Sequence, residues 1–263
     1  MTLVRIAAVT GVARSMFLTG LALCAAAPAR TATEEIPLFS AVFGVEWHGI
    51  TAGYSTLTLK STGLDTYLYS STIKARGIFV IAFPDAIGQQ STFRVIDGHV
   101  APLTYQEDNG PKKRADDVKL EFDWDAKQVR GMAGSKKVEQ PLETGTLDPL
   151  SVQIELMKDL VAGEPPKSFL LFDKHEATRY DYTRERTETL QTDLGRLETV
   201  VYRSDRPGSN RVTHLWLAPS LGYIPVRGER WSKGSIDFSL TIRKLTRGTA
   251  TPSAPAPPPA TSP

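Results

Sequence analysis

The chain is poor in the residue types that build redox and metal sites. Its 263 residues include one cysteine, Cys24, and four histidines. No histidine stands three or four positions from another, so the helical zinc-binding spacing is absent. Cys24 lies in a segment that we expect to be removed, and the remaining chain then has no thiol. An ordinary apolar core, rather than disulfides, therefore has to hold the fold.

The signatures of common enzyme classes are also missing. The chain has no Gly-x-Ser-x-Gly turn and no glycine-rich phosphate loop. Asp123 and Asp125 flank Trp124, but a short acidic pair in a hairpin is typical of a turn rather than of a calcium site. We therefore expect no metal, no cofactor and no enzymatic activity. A hydrolase of envelope polymers that uses acids such as Glu121 and Asp123 is the least favoured hypothesis.

An excess of one charge is lacking as well. Lys and Arg number 31, Asp and Glu number 29, and the first 29 residues hold two arginines and no acid. Removal of those 29 residues leaves 29 basic residues against 29 acidic ones. A neutral chain argues against nucleic acid, or an anionic membrane surface, as the main partner.

What is present begins with an export signal. Two arginines precede an apolar run over 16–27, and Ala27-Pro28-Ala29 fits the small-x-small cleavage pattern. The run is shorter than the about 20 apolar residues of a membrane-spanning helix. Leu23 precedes Cys24 where a lipoprotein signal carries a small residue, which disfavours lipid anchoring. We predict a signal peptide over 1–29 cleaved near Ala29, periplasmic localisation and no transmembrane segment in the mature chain; an uncleaved anchor is the alternative.

Period-two alternation of apolar residues dominates the rest of the chain. It predicts a mainly β domain over 37–247, built as a single curved antiparallel sheet or a half-open barrel. Three consecutive strands between 37 and 74 predict a meander. Four later strands are predicted over 168–173, 177–184, 188–193 and 198–204. Residues 248–263 include six prolines and predict a disordered tail.

One amphipathic helix is predicted over about residues 148–162. Asp148 can cap the first turn, Pro149 suits the first helical position, and apolar residues follow at steps of three and four. Gly163 is a typical helix end. The apolar run Gly77–Phe83 is ambiguous, because a buried strand, a short helix and an apolar loop or lid over a cavity all fit it. A core segment is the favoured interpretation.

The segment Arg211–Pro219 is the predicted centre of the sheet. Val212, His214 and Trp216 share one strand face, and both faces of this strand are largely apolar. Such a strand is covered on both sides. For His214, a core histidine with a hydrogen-bond partner is favoured over a catalytic base.

Large aromatic residues are the predicted lining of any apolar cavity, because they carry most of the apolar surface that such a site needs. Together with His214, the candidates are Trp47, Tyr54, Phe79, Phe83, Trp216 and Trp231. The alternative is that these aromatics are ordinary core residues.

Four segments, taken in order, resemble the family known as domain of unknown function 3108. They are Trp47-His48-Gly49-Ile50-Thr51-Ala52-Gly53, Asp148-Pro149-Leu150-Ser151, Leu215-Trp216-Leu217-Ala218-Pro219 and Ile224-Pro225-Val226. The resemblance covers about residues 40–245. It implies an exported β-rich domain of Gram-negative bacteria with no established activity or catalytic residues. By analogy of fold alone, its shape is similar to the curved, half-open sheets that carry lipoproteins across the periplasm.

Two hypotheses of function are favoured over an enzyme. The first is a non-enzymatic periplasmic binding or carrier module for an apolar or amphipathic envelope molecule, such as a lipid. The alternative is a structural or accessory envelope protein that binds a protein partner through an exposed strand edge. A carrier predicts an apolar cavity, an accessory protein predicts a solid core with an exposed edge, and an enzyme predicts clustered titratable groups with perturbed pKa values. The sequence identifies neither the ligand, the partner nor the oligomeric state.

Overall fold

The computed structural model describes residues 36–248, with the side chains of Ala82 and Lys112 excepted. The predicted signal peptide over 1–29, and the predicted tail apart from Gly248, lie outside the described residues. Within this part of the chain, no helix is both long enough and apolar enough to span a membrane.

Fifteen strands of the described chain form one curved, open sheet, which confirms the mainly β fold predicted from the sequence. The strands are β1 (Phe39–Trp47), β2 (Ile50–Ser61), β3 (Thr66–Ala75), β4 (Ile87–Ile96), β5 (His99–Asp108), β6 (Val118–Asp123), β7 (Gln128–Ala133), β8 (Lys136–Pro141), β9 (Thr146–Leu147), β10 (Ser168–Asp173), β11 (Glu176–Thr192), β12 (Gly195–Asp205), β13 (Arg211–Ala218), β14 (Ile224–Ser232) and β15 (Ser235–Arg247). The helices are α1 (Phe79–Ala82) and α2 (Ser151–Ala162), and short 3-10 turns occupy Pro111–Asp116 and Pro219–Leu221.

The sheet is a meander that runs outward and returns. Its strand order is β8-β7-β6-β5-β4-β3-β2-β1-β15-β14-β13-β12-β11-β10-β9, and the short pair β9–β10 is parallel whereas the other neighbouring pairs are antiparallel. The centre is β1, so the prediction that Arg211–Pro219 forms the centre was wrong. The first strand pairs with the last, for example at Phe39 and Arg247. Hydrophobic periodicity does not encode which distant strands pair.

Strand β11 corrects a second prediction. It is one strand of 17 residues rather than the two that were predicted over 177–184 and 188–193. A bulge between Arg184 and Arg186 lets the pairing with β12 continue through this polar stretch. Backbone pairing does not require apolar side chains, so a charged segment of a strand has the sequence pattern of a loop.

The two faces of the sheet follow from strand register, because direct cross-strand partners share a face. Val45 pairs with Leu240, and Trp47 pairs with Phe238. We call the face that carries these pairs the concave face, since helix α2 packs against it, and we call the opposite face the outer face.

Helix α2 covers one end of the concave face. Tyr69 of β3 donates a hydrogen bond to Gln153, and the buried carboxylate of Glu155 accepts the backbone N–H of Val100 at 2.7 Å. Ile154 and Leu156 are completely buried. The start of β1 lies in this core, with the Phe39 ring 6.0 Å from that of Tyr69. The other end of the concave face, around Trp47, remains open.

The run Gly77–Phe83 forms a short helix at the surface, so the favoured interpretation as core was wrong. Ile78 and Ile81 are largely exposed, and only one turn, α1, is helical. Apolar character alone cannot distinguish a buried segment from an exposed one, because roughly half of a protein surface is apolar in any case.

Candidate functional site

A cavity of about 840 Å³ opens on the concave face. Its volume lies within the range of about 300–1,000 Å³ that is typical of small-molecule sites. Apolar side chains reach it from both halves of the sheet and from both helices. They include Val45, Trp47, Leu57, Ile73, Phe79, Phe83, Ile87, Leu150, Val152, Leu156, Leu171, Leu215, Phe238 and Leu240.

The start of α2 forms part of the cavity wall. The carboxylate of Asp148 accepts the N–H groups of Leu150 and Ser151 at 2.8 and 2.9 Å, and the Asp148 carbonyl accepts that of Val152 at 3.2 Å. These groups would otherwise lack partners at a helix start. Because the cap uses them, the helix presents apolar side chains to the cavity rather than free N–H groups. Asp148 itself does not line the cavity.

One buried polar group of the wall has no partner. Ser55 is 1% exposed, and its hydroxyl lines the cavity without a hydrogen bond to any residue between 36 and 248. An unpaired buried hydroxyl is costly. The hydroxyl of Ser55 is therefore a polar group in an otherwise apolar part of the wall, with no described residue as its partner.

The buried phenols of the cavity are suited to binding rather than to proton transfer. Burial raises the pKa of Tyr105, and the nearby carboxylate of Glu107, which accepts the phenol hydrogen at 3.1 Å, adds to this shift. Burial also raises the pKa of Tyr182 to about 12. Both phenols are therefore neutral hydrogen-bonding groups at neutral pH.

Aromatic rings and cations surround the open end of the cavity. The Trp47 ring lies 5.8 Å from that of Phe79, which joins the β1–β2 turn to α1. The ammonium of Lys113 lies 5.5 Å from the ring centre of Phe83. The guanidinium of Arg230 lies 5.7 Å from the ring centre of Phe238. These contacts combine apolar surface and positive charge at the mouth.

A model of the protein family of unknown function DUF3108 matches residues 42–241. The chain belongs to the DUF3108 family. The resemblance deduced from the four sequence segments is thereby confirmed. A comparison with curated protein sequences finds no match.

Several solved structures are similar to this DUF3108 protein to different degrees. A β-barrel-like protein of domain of unknown function DUF1849 from Brucella abortus superposes with a TM-score of 0.51 at 11% identity, over 82% of this chain and 99% of that chain. MucB gives a TM-score of 0.37 at 11% identity, over 82% and 55% of the two chains. A Bacteroides fragilis protein described as exported, with a YmcC-like fold, gives 0.33 at 11% identity, over 80% and 94%. At these identities the first likeness shows fold alone, and the other two carry no inference.

The seven predicted cavity residues fall into two groups. Trp47, Phe79 and Phe83 line the cavity and lie at its mouth. The remaining four do not line it, so the structure differs from the sequence-based expectation for Tyr54, His214, Trp216 and Trp231.

The difference arises from the alternation of side chains between the two faces of a strand. The alternation correctly predicts which residues of β13 share a face, but it does not say which face is concave. Thr213 and Leu215 line the cavity, whereas His214 and Trp216 lie on the outer face. Tyr54 also lies on the outer face, where its hydroxyl accepts a hydrogen bond from Arg76 at 2.7 Å.

On the outer face, Trp216 is held between two cations. The guanidinium carbons of Arg186 and Arg227 lie 5.7 and 5.5 Å from its ring centre, and its indole N–H donates to Glu188 at 3.1 Å. Two of these residues belong to β11, which therefore covers the outer face of β13. The predicted cover on both sides is present at Trp216, which is 5% exposed, whereas Val212 to Leu215 are only half-buried.

Trp231 and His214, which also lie on the outer face, contact buried or half-buried acids. Trp231 donates its indole N–H to the buried Glu229 at 2.9 Å, and Arg227 binds the same carboxylate at 2.6 Å. His214 places Nε2 3.5 Å from the carboxylate of Glu185, while its buried Nδ1 has no partner in the described chain. These contacts connect β11, β13 and β14 on the outer face.

Metal ligands do not gather anywhere in the described chain. Among residues 36–248, no group of three or more His, Cys, Asp or Glu side chains is arranged to hold a metal ion. The cavity-lining residues predicted from the sequence do not include Ser55 or the start of α2, which both contribute to the wall. Ser55 shares a face of β2 with Leu57, and the curvature of the sheet together with the position of α2 makes that face part of the cavity.

Proposed function

We propose that this DUF3108 protein is a non-enzymatic binding or carrier module that holds one apolar or amphipathic molecule of the cell envelope, such as a lipid. The observation that carries the proposal is the cavity of about 840 Å³ with predominantly apolar walls. Transfer of an acyl chain from water into such a cavity is favoured by about 0.8 kcal/mol for each buried CH₂ group.

The polar groups of the cavity favour an amphipathic ligand over a purely apolar one. The hydroxyl of Ser55 lacks a protein partner inside the wall. Charged side chains, among them Asp85, Glu107, Lys113 and Arg230, lie around the apolar part. A molecule with an acyl portion and a polar head can satisfy both environments. In this proposal the mature chain resides in the periplasm after cleavage near Ala29.

A partner protein that adds a strand to the sheet edge is less well supported. Edge strand β8 carries the exposed charges of Lys136, Lys137 and Glu139. Charged side chains on an edge strand deter strand addition. The other edge, β9, has only two residues.

A matched pair of variants on β3 tests the proposal. Ile73 lines the cavity, and its neighbour Thr72 points to the outer face. We expect Ile73→Asp to weaken the binding of a fluorescent fatty acid by about tenfold or more, since a carboxylate in an apolar cavity disfavours an acyl chain. Thr72→Asp should leave the affinity within about twofold of wild type.

The probe is titrated into the mature chain and followed by fluorescence, with circular dichroism to verify that each variant is folded. Equal affinity in the two variants, or no saturable binding by the wild type, contradicts a ligand site in this cavity.

A further inference from the structure

The mouth of the cavity carries exposed apolar side chains that folding alone does not explain. Ile78 and Ile81 on the α1 segment are 73% and 80% exposed, and Ile50 at the β1–β2 turn is 57% exposed. Trp47, at 43% exposure, connects the two turns through its contact with Phe79. We call these two turns, residues 47–50 and 78–81, the apolar rim. Clustered exposed apolar groups of this kind mark interaction surfaces.

The cations beside the apolar rim are not neutralised by acids. Lys113 and Arg230 contact the rings of Phe83 and Phe238, and Arg76 contacts the ring and hydroxyl of Tyr54. None of the three cations forms an ion pair with a carboxylate of residues 36–248. Their charge is therefore available to an anionic partner.

We propose that the apolar rim docks this protein on an anionic lipid bilayer, with Ile78 and Ile81 inserted at headgroup depth. Interfacial anchors combine inserted apolar groups, aromatic side chains at the boundary and cations that meet anionic headgroups. The rim supplies the apolar groups and the aromatic ring of Trp47, and the neighbouring side chains supply the cations. Docked in this way, the cavity mouth faces the membrane, so a lipid passes between bilayer and cavity without crossing water. This last step rests on the proposed function, whereas docking itself does not.

The balance of charge sets the expected strength of docking. Asp85 lies in the bend that follows α1, and Asp237 lies in β15, where its carbonyl accepts the backbone N–H of His48 in the rim at 3.0 Å. The predicted mature chain is neutral overall. Insertion of apolar side chains therefore supplies most of the affinity, and the cations supply a preference for anionic lipids that weakens with salt.

The test is co-sedimentation of the full mature chain with vesicles. One set contains phosphatidylethanolamine and phosphatidylglycerol, and the other contains phosphatidylcholine alone. We expect the double variant Ile78→Asp with Ile81→Asp to bind the anionic vesicles about tenfold or more weakly than wild type. The control is Leu64→Asp, because Leu64 is 98% exposed and lies in the turn at the opposite end of β2. It should bind like wild type.

A second pair of substitutions tests the cations. Replacing Lys113 and Arg230 by Gln should reduce the preference for phosphatidylglycerol vesicles while some binding to phosphatidylcholine persists. Failure of the wild type to sediment with anionic vesicles, or equal binding by the rim variant, overturns the proposal. So does a wild-type dimer that the rim variant converts to a monomer, because the rim is then an interface between two copies.

Ligand binding without vesicles separates this proposal from the function of the cavity. Neither Ile78 nor Ile81 lines the cavity. The rim variant should therefore bind the fluorescent fatty acid with wild-type affinity while it loses vesicle binding. If the wild type does not bind the fluorescent fatty acid, the carrier function is refuted, and the result on vesicle docking is unaffected.

Discussion

Replacement of Asp148 tests how the wall of the cavity is held in place. Its carboxylate accepts N–H groups of Leu150 and Ser151 at 2.8 and 2.9 Å and the hydroxyl of Ser91 at 2.5 Å, and the residue is fully buried. Loss of a helix cap costs about 0.5–2 kcal/mol, and a buried hydroxyl left unpaired costs about 1–3 kcal/mol more. We therefore expect Asp148→Ala to lower the free energy of unfolding by about 1.5–5 kcal/mol.

Asp148→Asn is the matched variant. Burial raises the pKa of Asp148 despite its hydrogen bonds, so the negative charge is not the source of the stabilisation. The asparagine oxygen can accept the same two N–H groups, and we expect a change within about 1 kcal/mol. Urea unfolding at pH 7, followed by tryptophan fluorescence, measures both variants. A loss below about 1 kcal/mol for alanine, or equal losses for both, refutes the reasoning.

Three further predictions concern stability. Burial, and then the carboxylate of Glu155, raises the pKa of Asp159 to about 6, so the folded chain holds this proton more tightly than the unfolded chain. The stability that this proton contributes is present below pH about 4 and is lost as the pH rises through 6. Between pH 4 and pH 8, the free energy of unfolding of Asp159→Asn should therefore rise by about 1–2 kcal/mol relative to that of the wild type, after allowance for solvent screening. Trp216→Ala should cost about 3–5 kcal/mol in urea unfolding without a change in fatty-acid affinity, and a selective loss of affinity contradicts its position on the outer face. Gly53→Ala should cost about 3 kcal/mol, because a Cβ there lies 2.1 Å from the carbonyl oxygen of Lys74; a wild-type melting temperature contradicts this.

Local features of the structure were predictable from sequence. The role of Asp148 at the helix start and the end of α2 at Gly163 depend on neighbouring residues only. Asp148 accepts the N–H groups of Leu150 and Ser151 as predicted, although the regular helix begins at Ser151 rather than near Asp148. Gly163 ends the helix with φ 77°. The alternation on β13 also separates His214 and Trp216 from Leu215 as predicted. Each of these signals involves residues a few positions apart.

Features that depend on distant residues were not predictable in the same way. The pairing of β1 with β15 fixes the centre of the sheet, and no local sequence pattern predicts this pairing. Which face of β13 becomes concave depends on the curvature of all fifteen strands. The outer position of Trp216 follows from this curvature and from the reach of β11, whose charged middle has the pattern of a loop. The sequence therefore leaves open whether the sheet encloses a cavity or a solid core, and only Trp47, Phe79 and Phe83 among its seven candidates line the cavity of the structure.

The central claim is that the cavity carries an envelope lipid, and native mass spectrometry of the protein purified from the periplasm tests it most directly. We expect a bound species of lipid mass in the wild type, identified after lipid extraction, that Thr72→Asp retains and Ile73→Asp loses. A wild-type protein that is reproducibly empty, and that takes up no added fatty acid or phospholipid, contradicts the claim.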